Sequence, residues 1–315
     1  MSGNSSNSMS TNNPSILLTI DVEDWFQVEN FKQWIPFSSW PNRELRVEEN
    51  THHLLDLLDS YNGTGTMHSK PSEKPRATFF VLGWIAKRIP HLVREIHSRG
   101  HEVASHGYYH NLCNQGSTEE LRRDLWYSKK LLEDIVGLPV YGYRAPSFTI
   151  NNDVLKIIEE CGYLYDSSFN SFASHGRYGQ LDLSQSIRNG IAAKISDKFY
   201  ELPISNIKLG NRIFPWGGGG YLRLTPFPIF RLGVQSILRK QKAYLFYIHP
   251  WEIDAKQPRV KEALRSFKFR HYTNLNKTLP KLSCFIEAFK QCRFITCRQY
   301  LEQINVKAQN VHPVR

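Results

Sequence analysis

Apolar runs of strand length recur along the chain with amphipathic stretches between them. They read ILLTIDV (16–22), ATFFVLG (77–83), HEVASHG (101–107), VYGYRAP (140–146), GYLYDSS (162–168), FYELPIS (199–205) and AYLFYIH (243–249). The interiors LLTI, TFFV and YLFY are apolar throughout, as packed barrel strands require. Helical spacing predicts helices near residues 48–60, 86–98, 118–136 and 152–161, the last three stopped by Gly100, Gly137 and Gly162. Ser117-Thr118-Glu119-Glu120 has the form of a capping box opening the third of these. Residues 61–75, rich in Gly, Ser, Thr and Lys, read as a loop. Strand and helix alternate, so the sheet should be largely parallel, and seven or eight such units favour an α/β fold of the irregular (β/α)-barrel type. Weaker patterning over residues 170–228 leaves the strand count open. The expected organisation is a tail over residues 1–14, one domain over 15–302 and a second tail over 303–315.

Composition narrows the class. The polar N-terminus MSGNSSNSMSTNNPS has neither the basic nor the apolar region of a secretion signal, and no apolar run reaches the roughly 20 residues of a spanning helix. A cytoplasmic protein is the resulting expectation. Five cysteines without a C-x-x-C pair argue for free thiols over a disulfide framework or structural zinc. Charge is uneven: residues 231–315 carry 17 Lys and Arg against 5 Asp and Glu, which accounts for all of the chain's excess of +11. Such asymmetry suits an anionic partner or surface. Residues 256–270 (KQPRVKEALRSFKFR) set Val260, Ala263, Leu264 and Phe267 at helical spacing among cations. They read as a packed helix with a solvated basic face or as one that docks peripherally on an anionic membrane. No nucleic-acid motif accompanies the charge, so no nucleic-acid partner is expected.

Chemistry concentrates at strand ends. The first strand stops on Asp21, Glu23 and Asp24, like charges that need a cation or a hydrogen-bond network nearby. His106 and His110 stand four apart, a spacing that offers two nitrogens to a divalent metal but that chance also produces. Their position adds weight. The pair follows the third strand, Arg144 ends the fourth and His249 ends the last, and the C-terminal ends of parallel barrel strands converge on one mouth.

In these motifs the chain resembles the polysaccharide deacetylases of the NodB-homology type, akin to carbohydrate esterase family 4, from about residue 15 to residue 301. Thr19-Ile20-Asp21-Val22-Glu23-Asp24 is similar to the family's Thr-Phe-Asp-Asp-Gly. His106 and His110 match its His-x-x-x-His, Arg144-Ala145-Pro146 its Arg-x-Pro, and Phe246-Tyr247-Ile248-His249-Pro250 its late His-Pro motif. The combination of DVEDWF, RAPSF and a glycine-rich segment before the last His-Pro resembles the branch associated with exopolysaccharide synthesis. The resemblance implies one divalent cation, zinc first and cobalt, manganese or nickel as alternatives, held by His106, His110 and an acid of the first motif. It also implies Asp21 as general base, Arg144 as its partner, Ser147 N–H at the oxyanion and His249 as general acid.

The chain departs from the pattern at several points. Asp-Val-Glu-Asp replaces Asp-Asp, so either Glu23 or Asp24 is the acidic ligand; strand periodicity favours Glu23. Ser147 stands where the family has an aromatic, with Phe148 next. Asp166 matches either the acid that tunes the late histidine in some members or a turn former. The run Phe214-Pro215-Trp216-Gly217-Gly218-Gly219-Gly220-Tyr221 lacks the Lys-Ser/Thr of a phosphate loop, and reads as a flexible loop presenting Trp216 and Tyr221 as sugar platforms or as a plain connection. Trp25 and Trp251 flank the base and the acid as pocket wall or core. The expectation is removal of acetyl groups from N-acetylhexosamine in a glycan or lipid-linked saccharide. An O-acetyl ester, a cyclic amide and a glycan-binding module without catalysis stand as alternatives.

Overall fold

A computed structural model describes residues 13–61, 74–172 and 179–310. The strands are β1 (Ser15–Val22), β2 (Ala77–Val81), β3 (Glu102–Ser105), β4 (Gly142–Tyr143), β5 (Tyr165–Asp166), β6 (Ile187–Asn189), β7 (Ala192–Lys194), β8 (Tyr200–Glu201), β9 (Asn206–Leu209), β10 (Arg212–Pro215), β11 (Ala243–Ile248) and β12 (Arg293–Phe294). The helices are α1 (Val47–Ser60), α2 (Gly83–Arg88), α3 (Pro90–Ser98), α4 (Thr118–Val136), α5 (Asn152–Glu160), α6 (Gly219–Leu224), α7 (Phe227–Gln241), α8 (Arg265–Tyr272), α9 (Leu275–Ala288) and α10 (Cys297–Asn310).

Each of the seven apolar runs contains a strand, and these strands pair in parallel in the order β11-β1-β2-β3-β4-β5-β8. β7 and β6 continue the sheet antiparallel beyond β8, and β12 pairs with β1. The sheet curls, and the gap between β8 and β11 is bridged by irregular chain: Leu245 N–H donates to Ser205 Oγ (2.9 Å) and Tyr247 N–H to the Gly217 carbonyl (2.7 Å). This is an irregular (β/α) barrel, as the alternation predicts.

Strand alternation decides what faces inward. Along β1, Ile16, Leu18, Ile20 and Val22 pack under the helices, whereas Leu17 joins Phe80, Ala104, Tyr165, Leu245 and Tyr247 inside the barrel. The same parity sends Thr19 and Asp21 inward behind Leu17, and His249 behind Tyr247.

The capping box forms as read: Ser117 accepts from Glu120 N–H, the Glu120 side chain returns to Ser117 N–H, and Gly137 closes α4 with φ 73°. The helix expected over residues 86–98 is instead two, because Pro90 has no N–H to continue α2 and starts α3. α10 runs to Asn310, past residue 303 where a tail was expected. Residues 1–12, most of the loop at 61–75 and residues 311–315 lie outside the described residues. The basic helix expected over 256–270 is corrected: α helix begins only at Arg265. Gln257 Nε2 donates to the Trp251 and Asp254 carbonyls, and this folds the preceding segment into turns that bury Val260 and Ala263. No helix among the described residues is long and apolar enough to cross a membrane.

Candidate active site

Asp21, at the inner end of β1, is buried and ion-paired to Arg144, whose Nη1 donates to Oδ1 at 2.6 Å. Arg144 is fully buried and fixed by further bonds to Thr19 Oγ1 (2.8 Å), the Ser167 carbonyl (2.9 Å) and Ser167 Oγ (2.8 Å), with its guanidinium 4.1 Å from the Phe80 ring centroid. One carboxylate oxygen is thus committed. The other, Oδ2, lies 3.8 Å from His249 Nε2.

Glu23, His106 and His110 converge beside it, with one candidate ligand atom from each within 4.8 Å of the others and all three residues buried. His106 Nδ1 sits 2.8 Å from the Arg144 carbonyl, so that nitrogen carries the proton and Nε2 is left as a lone pair. Burial pushes the His106 pKa down to about 4, which keeps the ring neutral. Glu23 Oε2 is 2.8 Å from His110 Nε2 yet has no hydrogen-bond partner among the described residues. Burial raises the Glu23 pKa, but the imidazoles of His110, His249 and His106 outweigh it and hold the carboxyl well below its usual range. A buried, ionised carboxylate set against two imidazoles, with Oε2 2.8 Å from His110 Nε2, is a donor set that fits a divalent cation.

Asp24 does different work. Its carboxylate accepts from the backbone N–H groups of Trp25 (2.8 Å), Arg46 (2.7 Å) and Val47 (2.9 Å), so it caps the start of α1 and points away from the histidines. Burial pushes its pKa up to about 6 against those bonds. The cluster therefore contains Glu23 and omits Asp24.

His249 is held by a residue the sequence reading missed. Glu252 Oε1 accepts from His249 N–H (3.2 Å) and lies 2.8 Å from Nδ1, while Oε2 accepts from Arg223 Nε (2.9 Å). Burial lowers the His249 pKa, but Glu23, Glu252 and Asp21 raise it further, to about 9. Asp166 has no part in this. It faces Ser168 (Oγ at 2.7 Å) and the buried Glu201, and burial raises the pKa of both acids. The signal for Glu252 was its place three residues after His249, on the turn that Pro250 opens.

The aromatics near the site divide between wall and core. Trp251 is buried between His249 and His271, its ring centroids 5.1 and 4.1 Å from theirs, and its Nε1 donates to Glu23 Oε1 (3.3 Å). Trp25 packs on Phe26 and donates to the Glu44 carbonyl, so it belongs to the core. Trp216 stacks on Phe230 at 5.8 Å and its Nε1 donates to the Phe230 carbonyl, so it packs against α7; Tyr221, in the first turn of α6, packs partly buried against the core.

The glycine run is tight packing rather than a flexible loop. A Cβ at Gly217 would lie 2.7 Å from the Ser205 carbonyl, at Gly218 2.7 Å from the Tyr247 ring, and at Gly219 2.5 Å from the Glu252 carboxylate. Ser147 and Phe148 adopt left-handed backbone (φ 53° and 60°), strain of a kind that gathers at functional sites. Phe148, one position late, puts its ring 4.7 Å from Tyr247 inside the barrel and supplies the aromatic wall. His110 is also left-handed (φ 56°); Asp124, from α4, anchors its loop by accepting from Tyr108 and Tyr109 N–H. Nothing in the local pattern marked Asp124.

Known proteins are similar to parts of this chain. Residues 71–165, which contain His106, His110 and Arg144, match the family described as polysaccharide deacetylase, and residues 167–302, which contain His249 and Glu252, match a domain of unknown function (DUF3473). A peptidoglycan-N-acetylglucosamine deacetylase of Bacillus cereus is 34% identical over 113 residues, 36% of this chain and 47% of that protein. A chitooligosaccharide deacetylase of Azorhizobium caulinodans is 30% identical over 87 residues, 27% of this chain and 41% of that one. The chain spans about half the length of these curated relatives or less. A solved Mycobacterium smegmatis structure, provisionally assigned as a polysaccharide deacetylase, aligns with a TM-score of 0.56 at 19% identity, over 96% of this chain and 92% of that one. Residues 71–165 thus match the polysaccharide deacetylase family, within a chain that folds as an irregular (β/α) barrel.

Proposed function

We propose that the chain is a metal-dependent hydrolase that removes acetyl groups from N-acetylglucosamine units of a glycan. The reading rests on one observation: a Glu23, His106 and His110 cluster opens onto the same mouth as a carboxylate fixed by Arg144 and an imidazole fixed by Glu252. A divalent cation, zinc by preference for such a donor set, would supply Lewis-acid polarisation of the acetyl carbonyl and a lowered water pKa.

The remaining work falls to the chain's own side chains. Asp21 presents Oδ2 while Arg144 engages Oδ1, so it is oriented to take a proton from the attacking water. His249 keeps Nδ1 on Glu252 and turns Nε2 into the mouth, where it hands a proton to the departing sugar amine as the C–N bond breaks. The N–H of Ser147, on the strained turn after Arg144, is the candidate oxyanion donor, and Phe148 and Trp251 wall the site. Acetate and a free amine leave. The exopolysaccharide-type motifs favour a polysaccharide or a lipid-linked precursor as the natural substrate.

Acetate release from N-acetylated chitooligosaccharide, with and without chelator, tests the reading. Asp21→Asn should reduce kcat by at least about 100-fold, and His106→Ala should abolish stoichiometric metal. Absence of release with any divalent metal, while glycan binding survives in Asp21→Asn, refutes hydrolysis; one equivalent of metal retained in His106→Ala refutes the ligand set.

A further inference from the structure

From residue 202 to residue 251 the chain has no Asp or Glu but seven Lys or Arg. Of the fourteen exposed large apolar side chains among the described residues, seven fall between residues 209 and 269: Leu209, Phe214, Leu224, Ile229, Leu232, Leu264 and Phe269. Leu209, at the tip of the β9–β10 hairpin, is 72% exposed; Leu232 and Phe269 are 61% and 63% exposed. Burying such groups in water-free surroundings is favourable, so their clustering calls for a partner.

The segments that carry them sit together. The hairpin follows the C-terminal end of β8, and α8 follows that of β11, the same end of the barrel as Asp21 and His249. Trp216 ties the end of the hairpin to α7 through the Phe230 carbonyl. Arg223 of α6 ties that region to α8 by donating to the carbonyls of Arg270, His271 and Thr273. The same segments carry Lys208, Arg212, Arg231, Arg265 and Arg270, all exposed and none in an ion pair among the described residues. Glu262 is the exposed acid on this stretch; Glu252 and Asp254 are buried on Arg223 and Arg46.

We infer that this rim is a docking surface for an anionic lipid bilayer, with the apolar tips entering the headgroup region and the unpaired cations meeting the lipid phosphates. Charge complementarity selects this occupant. A second copy of the chain would bring five unpaired cations against five, whereas an anionic surface gains about 1 kcal/mol for each cation brought near it, a factor of five or so in affinity. Docked in this way, the mouth faces the membrane. The inference goes beyond the hydrolase reading, since binding needs no turnover.

Co-sedimentation with phosphatidylcholine vesicles, with and without phosphatidylglycerol, tests it. The expected result is partitioning onto the anionic vesicles alone, weakened as salt rises from about 0.1 to about 0.5 M. Lys208→Glu combined with Arg212→Glu and Arg231→Glu should lower the partition coefficient at least about 100-fold, and Leu209→Ser with Leu232→Ser at least about 10-fold. Both variants should keep the wild-type melting temperature and wild-type acetate release from a soluble oligosaccharide. Failure of the wild type to bind anionic vesicles overturns the inference even if soluble activity persists. Equal partitioning of wild type and folded variants overturns it too, as does a dimer that the same substitutions dissociate.

Discussion

Glu252→Gln keeps the shape of a buried side chain and removes its charge. The carboxylate now serves three donors: His249 N–H at 3.2 Å, His249 Nδ1 at 2.8 Å and Arg223 Nε at 2.9 Å. A hydrogen bond to a charged group contributes roughly 1 kcal/mol more than a neutral one, so three such bonds lose about 3 kcal/mol. Breaking a buried ion pair from one side costs roughly 3–5 kcal/mol. The lower end applies, because Arg223 keeps three backbone carbonyls as acceptors. Function should suffer separately. Arg223 can only donate, so it claims the single amide oxygen, and the amide NH₂ then faces His249 Nδ1. That reverses the ring tautomer and leaves His249 unable to hold Nδ1–H on its partner while donating from Nε2. Urea unfolding at neutral pH should show about 3 kcal/mol of destabilisation, and steady-state kinetics on a soluble N-acetylated oligosaccharide should show kcat down at least about 100-fold with KM nearly unchanged. A loss of stability below about 1 kcal/mol, or a kcat within about twofold of wild type, would refute the assignment of Glu252 as the positioning residue for His249.

Trp251→Phe keeps the ring between His249 and His271 but deletes the N–H that reaches Glu23 Oε1, so zinc affinity measured by chelator competition should fall about 10-fold; a change under about twofold counts against that contact. His101, buried beneath β2, accepts from Ala77 N–H through Nδ1, and burial pushes its pKa from 6.5 down to about 4. Because the folded pKa is depressed, the neutral ring's contribution is fully present above pH 6.5 and is lost as pH falls toward 4, by up to about 3 kcal/mol. His101→Asn should flatten unfolding free energy over that acid window; identical pH profiles for variant and wild type would contradict the prediction.

Why some of this was legible in the sequence follows from range. Strand runs, the capping box and the helix stop at Gly137 are set by neighbours within a few residues, and the site residues inherit their direction from strand parity. Arg223 reaches Glu252 from a helix 29 residues earlier, and Asp124 reaches the His110 loop from a helix packed on the barrel. No period encodes such pairs. Residues 256–270 have genuine helical spacing, but Gln257 bonding back to Trp251 and Asp254 outcompetes a helix there. The glycines that lead into α6 and open it looked like flexibility because composition cannot distinguish a mobile loop from a backbone pressed against β11 and Glu252.

The three acids that end β1 coexist because each faces a different partner. Asp21 is the last inward position of the strand and meets a guanidinium. The chain then turns, with Glu23 N–H donating to the Asp21 carbonyl at 3.0 Å, which aims Glu23 at the histidines rather than along the strand. Asp24 swings outward to the positive end of α1, where backbone N–H groups compensate it without a formal charge. Moving any one of these carboxylates by a residue would leave two acids facing one partner and one partner unmet. The order Asp-Val-Glu-Asp is therefore a spatial division of charge, and α1 is fastened to the end of β1 by an acid that a consecutive pair of carboxylates would not have supplied.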